Sequence, residues 1–148
     1  MDLETETLET FILAKDSATI KLLEGHFLFS QSLNTNGKKH ITIKGKGIDK
    51  TVLSIKGQTK GAEGILITNS NYFTIEDLSI EDAAGDNLKI SKSKNVIIRN
   101  AQTAWTDTIS THNGAYGIYL VLIRTLCSKA MKPLKLRMRE SMLDNLKM

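Results

Sequence analysis

With 148 residues, 41% of them hydrophobic and 5% aromatic, the chain is long enough for one domain with a real core, and no second domain is indicated. The formal charge of +4 is unevenly placed: residues 120–148 hold seven Lys/Arg against two Asp/Glu, and residues 1–119 hold 13 against 14, so net charge gives no ground for nucleic-acid binding by the body. No apolar run approaches a membrane span, MDLETETLET lacks the basic start and apolar stretch of a signal peptide, and the single Cys127 forms no internal disulfide.

Residues 2–14 place Leu8, Phe11 and Ile12 at i, i+3 and i+4 with acids on the other side, which predicts a short amphipathic helix. From Ala18 the period becomes that of strands. ATIKLL (18–23), HFLFS (26–30), HITIKGKG (40–47) and TVLSIKG (51–57) are separated by turn signals at Glu24-Gly25, by the polar stretch 34–39 and by Gly47–Asp49. Ile41 and Ile43 point inward, with Thr42 and Lys44 outward. The loop 58–64 then leads to a pattern written twice. GILITNSNYFTIEDLSIED (64–82) lies over NLKISKSKNVIIRNAQTAW (87–105) without a gap, so that Ile67 falls on Ile90, Ser70 on Ser93 and Ile75 on Ile98.

Such short runs without crossover helices argue against a doubly wound α/β sheet. An antiparallel sandwich and a parallel β-helix both accommodate them. The constant step of 23 residues favours the β-helix, in which each coil buries its inward side chains against the next. Asn69, Asn71, Asn95 and Asn100 suit its tight corners because Asn tolerates left-handed backbone. The expected fold is therefore all-β, a single-stranded parallel β-helix over residues 1–119, with the helix at about 2–14 capping the open backbone of its first coil.

The segments EGHFLFSQSL (24–33), ITIKGKGIDKTVLSIKGQ (41–58), NYFTIEDLSIEDAAGD (71–86), NVIIRN (95–100) and NGAYGIY (113–119) resemble the right-handed parallel β-helix proteins of pectin-lyase-like fold. They look most like uncharacterised, exported bacterial β-helix repeat proteins. The resemblance covers about two-thirds of the chain, from about Ala18 to Tyr119. It implies an extracytoplasmic, carbohydrate-associated binding or structural module, or a polysaccharide lyase or glycoside hydrolase whose catalytic coils lie outside this chain.

After Tyr119 the composition changes. All ten glycines precede residue 120, whereas four of five methionines and the only proline, Pro133, follow it. Reverse translation with one choice of codons lets LRMRESMLDNLKM (136–148) be read one base earlier as ASDAGIYVGQSQN, which repeats the Gly-Ile-Tyr of Gly117–Tyr119. Residues 120–148 are thus expected to be an out-of-frame basic tail, helical or disordered, on the N-terminal portion of a longer solenoid. An uninterrupted original frame in the gene would exclude this. A native amphipathic C-terminal helix is the alternative, with Leu134, Met138, Met142 and Leu146 recurring at i+4.

No Walker loop, dinucleotide fingerprint, zinc spacing or nucleophile elbow is present. The lyases and hydrolases that the resemblance brings in use carboxylates on the outer face of the coils to hold Ca²⁺ or to act as acid and base. Here Asp82 and Asp86 are the candidates for such a metal site, but Glu81 and Asp82 fall over Ala104 and Trp105, so no column of acids forms, and no catalytic residue is assigned. Arg99 falls over Glu76, which predicts a stacked ion pair. Trp105, Asp107, His112, Asn113 and Tyr116 surround the longest loop and combine a flat ring face with polar groups, the chemistry of sugar binding. The expected partners are a polysaccharide and, through an open coil edge, further copies of the chain, with no nucleic acid and no membrane span.

Overall fold

The computed structural model describes residues 2–107, 116–133, 136–138 and 146–147, with side chains as far as Cys127. The chain opens with α1 (Leu3–Leu13) and continues as β1 (Thr19–Lys21), β2 (Gly25–Leu28), β3 (Gln31–Asn36), β4 (Lys39–Lys44), β5 (Thr51–Ser54) and β6 (Lys60–Thr68). There follow β7 (Asn71–Glu81), β8 (Leu88–Ser91), β9 (Lys94–Ala104), β10 (Ile118–Val121), β11 (Arg124–Pro133), β12 (Leu136–Met138) and β13 (Leu146–Lys147). All pairings between them are parallel. One sheet stacks β1, β4, β7, β9, β11 and β13, with β2 and β5 joining it beside β7; the other stacks β3, β6, β8, β10 and β12. The result is the expected parallel β-solenoid, of about four turns.

Register follows the duplicated pattern. Ile67 pairs with Ile90, and Phe73, Ile75, Glu76 and Leu78 pair with Val96, Ile98, Arg99 and Ala101. Inward side chains therefore form continuous columns, such as Ile41–Phe73–Val96–Leu126 and Leu33–Ile65–Leu88–Ile118. Their members are 0–3% exposed. Each aliphatic is covered above and below by its equivalent, at about 1.5–3 kcal/mol per side chain removed from water.

The corners repeat as well. Gly37, Asn69, Lys92 and Leu122 occupy one left-handed position with φ of 69°, 52°, 49° and 54°, and Ser17, His40, Tyr72, Asn95 and Thr125 another with φ of 67°, 54°, 55°, 51° and 55°. Asn69, Asn95 and Asn100 are left-handed as their type suggested, whereas at Asn71 the turn falls one residue later, on Tyr72. Asn71 instead accepts a side-chain hydrogen bond from Asn95 at 3.0 Å. Between these corners Ser70 and Ser93, both buried, stack so that the Ser70 N–H donates to the Ser93 hydroxyl at 3.1 Å.

Helix α1 starts at the N-cap Asp2, whose carboxylate accepts from the Thr5 N–H at 2.8 Å. It packs on β3 through buried Phe11. The buried Thr35 hydroxyl donates to the Phe11 carbonyl at 3.1 Å, and Glu4 accepts from the Ser30 N–H and hydroxyl at 2.6 and 2.9 Å. Periodicity overstates the apolar stripe, since Ile12 is 55% exposed. Two loops expected from polarity are also shorter than drawn: Asn34–Asn36 belongs to β3 and Lys60–Gly64 to β6. Within 120–133, where a helix or no order was expected, β10 runs to Val121 and β11 over Arg124–Pro133. Ile118, Leu120, Ile123 and Leu126 fill the inward columns, and the coil below supplies the hydrogen-bonding template. No helix of the described residues is long and apolar enough to cross a membrane.

Candidate functional site

The corner after β7 is built from polar groups that bind the fold's own backbone. Buried Asn87 accepts from the Ala83 N–H through Oδ1 and donates to the Ala104 carbonyl through Nδ2, both at 2.9 Å, tying one coil to the next. Asp82, left-handed at φ 60°, receives the Thr106 N–H and hydroxyl on its two carboxylate oxygens, each at 2.6 Å. Asp86 receives the Tyr116 N–H at 3.1 Å. Burial pushes the Asp86 carboxyl up, and the bond from Tyr116 opposes that shift. Both acids considered for a metal are thus engaged in holding the chain where it leaves and re-enters the coil. Among the described residues no three His, Cys, Asp or Glu side chains gather as a metal site.

The aromatic groups stand around the same corner. Half-buried Trp105 donates its indole N–H to the Ala83 carbonyl at 2.9 Å. Tyr116 and Tyr119 form a tilted pair, ring centres 5.3 Å apart, and the Lys89 ammonium lies 5.6 Å from the Tyr119 ring centre. Lys89 also pairs with Glu63 at 3.1 Å. Asp107 is exposed and meets Lys56 at 2.9 Å. His112 and Asn113 lie outside the described residues. Of the predicted ligand-binding group, then, Trp105 and Tyr116 are fastened to the Asp82–Asn87 corner, and Asp107 is paired with a lysine from an earlier coil.

Sequence reading passed over Lys89 and Glu63. Lys89 meets Tyr119 because the two are register partners, but this coil departs from the 23-residue step that revealed the earlier stacking. The predicted Glu76–Arg99 pair is present. Glu76, only 4% exposed, hydrogen-bonds Arg99 and accepts from Lys44 at 2.9 Å. Burial alone would raise its carboxyl; hydrogen bonds from Lys44 and Arg99, with the charges of both, hold it below the ordinary carboxylate value.

Continuous parallel stacking, repeated left-handed corners and a helix over the first coil define a capped parallel β-solenoid. No protein-family model, no curated protein and no solved structure matches the chain.

Proposed function

We propose that the chain is part of a noncatalytic, extracytoplasmic β-solenoid module that holds carbohydrate at the Trp105–Tyr116–Tyr119 corner. Export and the pectin-lyase-like kinship rest on the resemblance of its coil segments to β-helix repeat proteins. The observation that carries the reading is the division of labour at this corner: Asp82 and Asp86 are bound to backbone groups, while rings and a lysine are gathered beside them. Flat ring faces flanked by polar groups suit pyranose rings. The alternative is a lyase or hydrolase whose catalytic coils lie outside this chain, with Asp82 and Asp86 taken up by backbone groups and not serving as its acid and base. Residues 120–148 stay, in this proposal, an out-of-frame continuation; the inward columns accept Ile118 and Leu120 whatever their origin.

A glycan array tests the corner. The chain is expected to bind a restricted set of glycans, with Trp105→Ala weakening them at least tenfold and leaving the circular dichroism of the solenoid unchanged. Retained affinity in a folded Trp105→Ala variant would remove the corner as the site.

A further inference from the structure

We propose that Asn36 is a site of spontaneous covalent modification, independent of the Trp105 corner: its carboxamide closes on the Gly37 nitrogen to give an isoaspartyl linkage whenever the next coil stops holding the two apart. The chain's asparagines precede glycine only at Asn36 and Asn113. Glycine least shields the following nitrogen from attack and most freely adopts the backbone that ring closure requires. Asn113 lies outside the described residues. Asn36 ends β3, and both it and Gly37 are exposed, with open space where a side chain on Gly37 would stand.

The restraints on the reacting groups come from β6 and the corner after it. Asn36 and Thr68 are register partners. The Asn36 Oδ1 accepts from the Thr68 hydroxyl at 2.8 Å and from the Asn69 Nδ2 at 2.9 Å, which turns the carboxamide toward the neighbouring coil. The Gly37 N–H, whose nitrogen is the nucleophile, donates to the Thr68 carbonyl at 3.0 Å. Extended backbone at Asn36 and these three bonds keep the pair out of attack geometry. The leaving group is not tied, since the Asn36 Nδ2 donates no hydrogen bond among the described residues.

Once the corner opens, the Gly37 nitrogen gives up its proton and bonds to the Asn36 Cγ. The Cγ–Nδ2 bond breaks, the amide nitrogen takes a proton and leaves as ammonia, and a five-membered imide remains. Water then adds to either ring carbonyl. Cleavage at Cγ gives an aspartate that still offers oxygen to Thr68 and Asn69, so the corner can close again. Cleavage at the main-chain carbonyl routes the backbone through Cβ and Cγ, one atom longer, and the Gly37 N–H no longer meets the Thr68 carbonyl. A chain whose first coil has opened is thereby marked irreversibly.

Incubation at neutral and mildly alkaline pH, with tryptic mapping of residues 22–38 and enzymatic methylation of isoaspartyl groups, tests the proposal. Conversion in that peptide is expected to be about tenfold slower in the folded chain than in urea, because the corner must open first, and to speed up as pH rises. Thr68→Val with Asn69→Gly removes both side-chain donors and keeps the strand and the left-handed corner. Water replaces those donors on the exposed oxygen, so only the restraint changes. This variant, with its circular dichroism unchanged, should convert about threefold faster than wild type when folded, and equally fast in urea. Asn36→Gln, in which ring closure needs one more methylene, should yield no isoaspartate in residues 22–38. Equal rates in the folded and unfolded wild type, no acceleration in the folded double variant, or conversion that survives in Asn36→Gln would overturn it.

Discussion

Glu76 shows how a single side chain can tie coils together. Its carboxylate is shut from water yet joined to Lys44 in the coil before and Arg99 in the coil after. Both cations keep about half of their side chains in solvent, at 48% and 56% exposure, so losing the carboxylate leaves them hydrated and the cost stays at the lower end for charged hydrogen bonds. Glu76→Gln is expected to lower stability by about 1.5 kcal/mol at neutral pH, measured by urea unfolding. A carboxyl held below its ordinary value contributes stability above the unfolded-state pKa and loses it as pH falls through the folded one. The gap between wild type and variant should therefore close on acidification. A gap that widened would contradict the assigned charge state. This contact was legible in the sequence because two residues 23 apart have opposite charge. The Asp82–Thr106 and Asp86–Tyr116 bonds were not, since carboxylates used for backbone capping and for metal ligation look alike without coordinates.

At the scale of elements, α1 covers β3 by one deeply set ring and a few hydrogen bonds. Phe11→Ala should cost about 3–4 kcal/mol, as for other fully buried aromatics, whereas Ile12→Ser should change thermal stability little because Ile12 faces water. Similar losses for both would mean that the helix seats on a different face. The contrast marks where periodicity reaches its limit. A helix resting on a strand edge uses a stripe narrower than a bundle helix, so the i+4 partner falls outside it. Register was readable between the two coils 23 residues apart because they repeat the spacing of their apolar residues, as at Ile67 over Ile90 and Ile75 over Ile98. Strand ends were less so, because Asn34–Asn36 and Lys60 lie in polar stretches yet pair with a neighbouring coil.

In the molecule as a whole, the helix protects only part of the first coil. β1 pairs only with β4 and β2 only with β5 among the described residues, leaving their outer edges without a strand. Leu23 and Leu28 are 67% and 63% exposed beside them. A cavity of about 220 Å³ opens between α1 and this coil, lined by Leu3, Thr7, Ile20, Phe27 and Leu53 among others. Unpaired edges of this kind recruit further strands. Sedimentation should show association that grows with concentration, and Leu28→Lys should shift it toward monomer by placing a charge on the edge; an unchanged distribution would place the contact elsewhere.

The coils differ in length without losing alignment. Ile43 meets Ile75 after 32 residues, Leu53 meets Ile80 after 27, and Ile75 meets Ile98 after 23. The surplus is taken up where strands end, around Gly45–Thr51 and again before Ile65. Those two sites are natural ports for grafting: foreign peptides or epitopes spliced there would ride on the scaffold as passengers, and a display vehicle could be made from this chain without redesigning its interior.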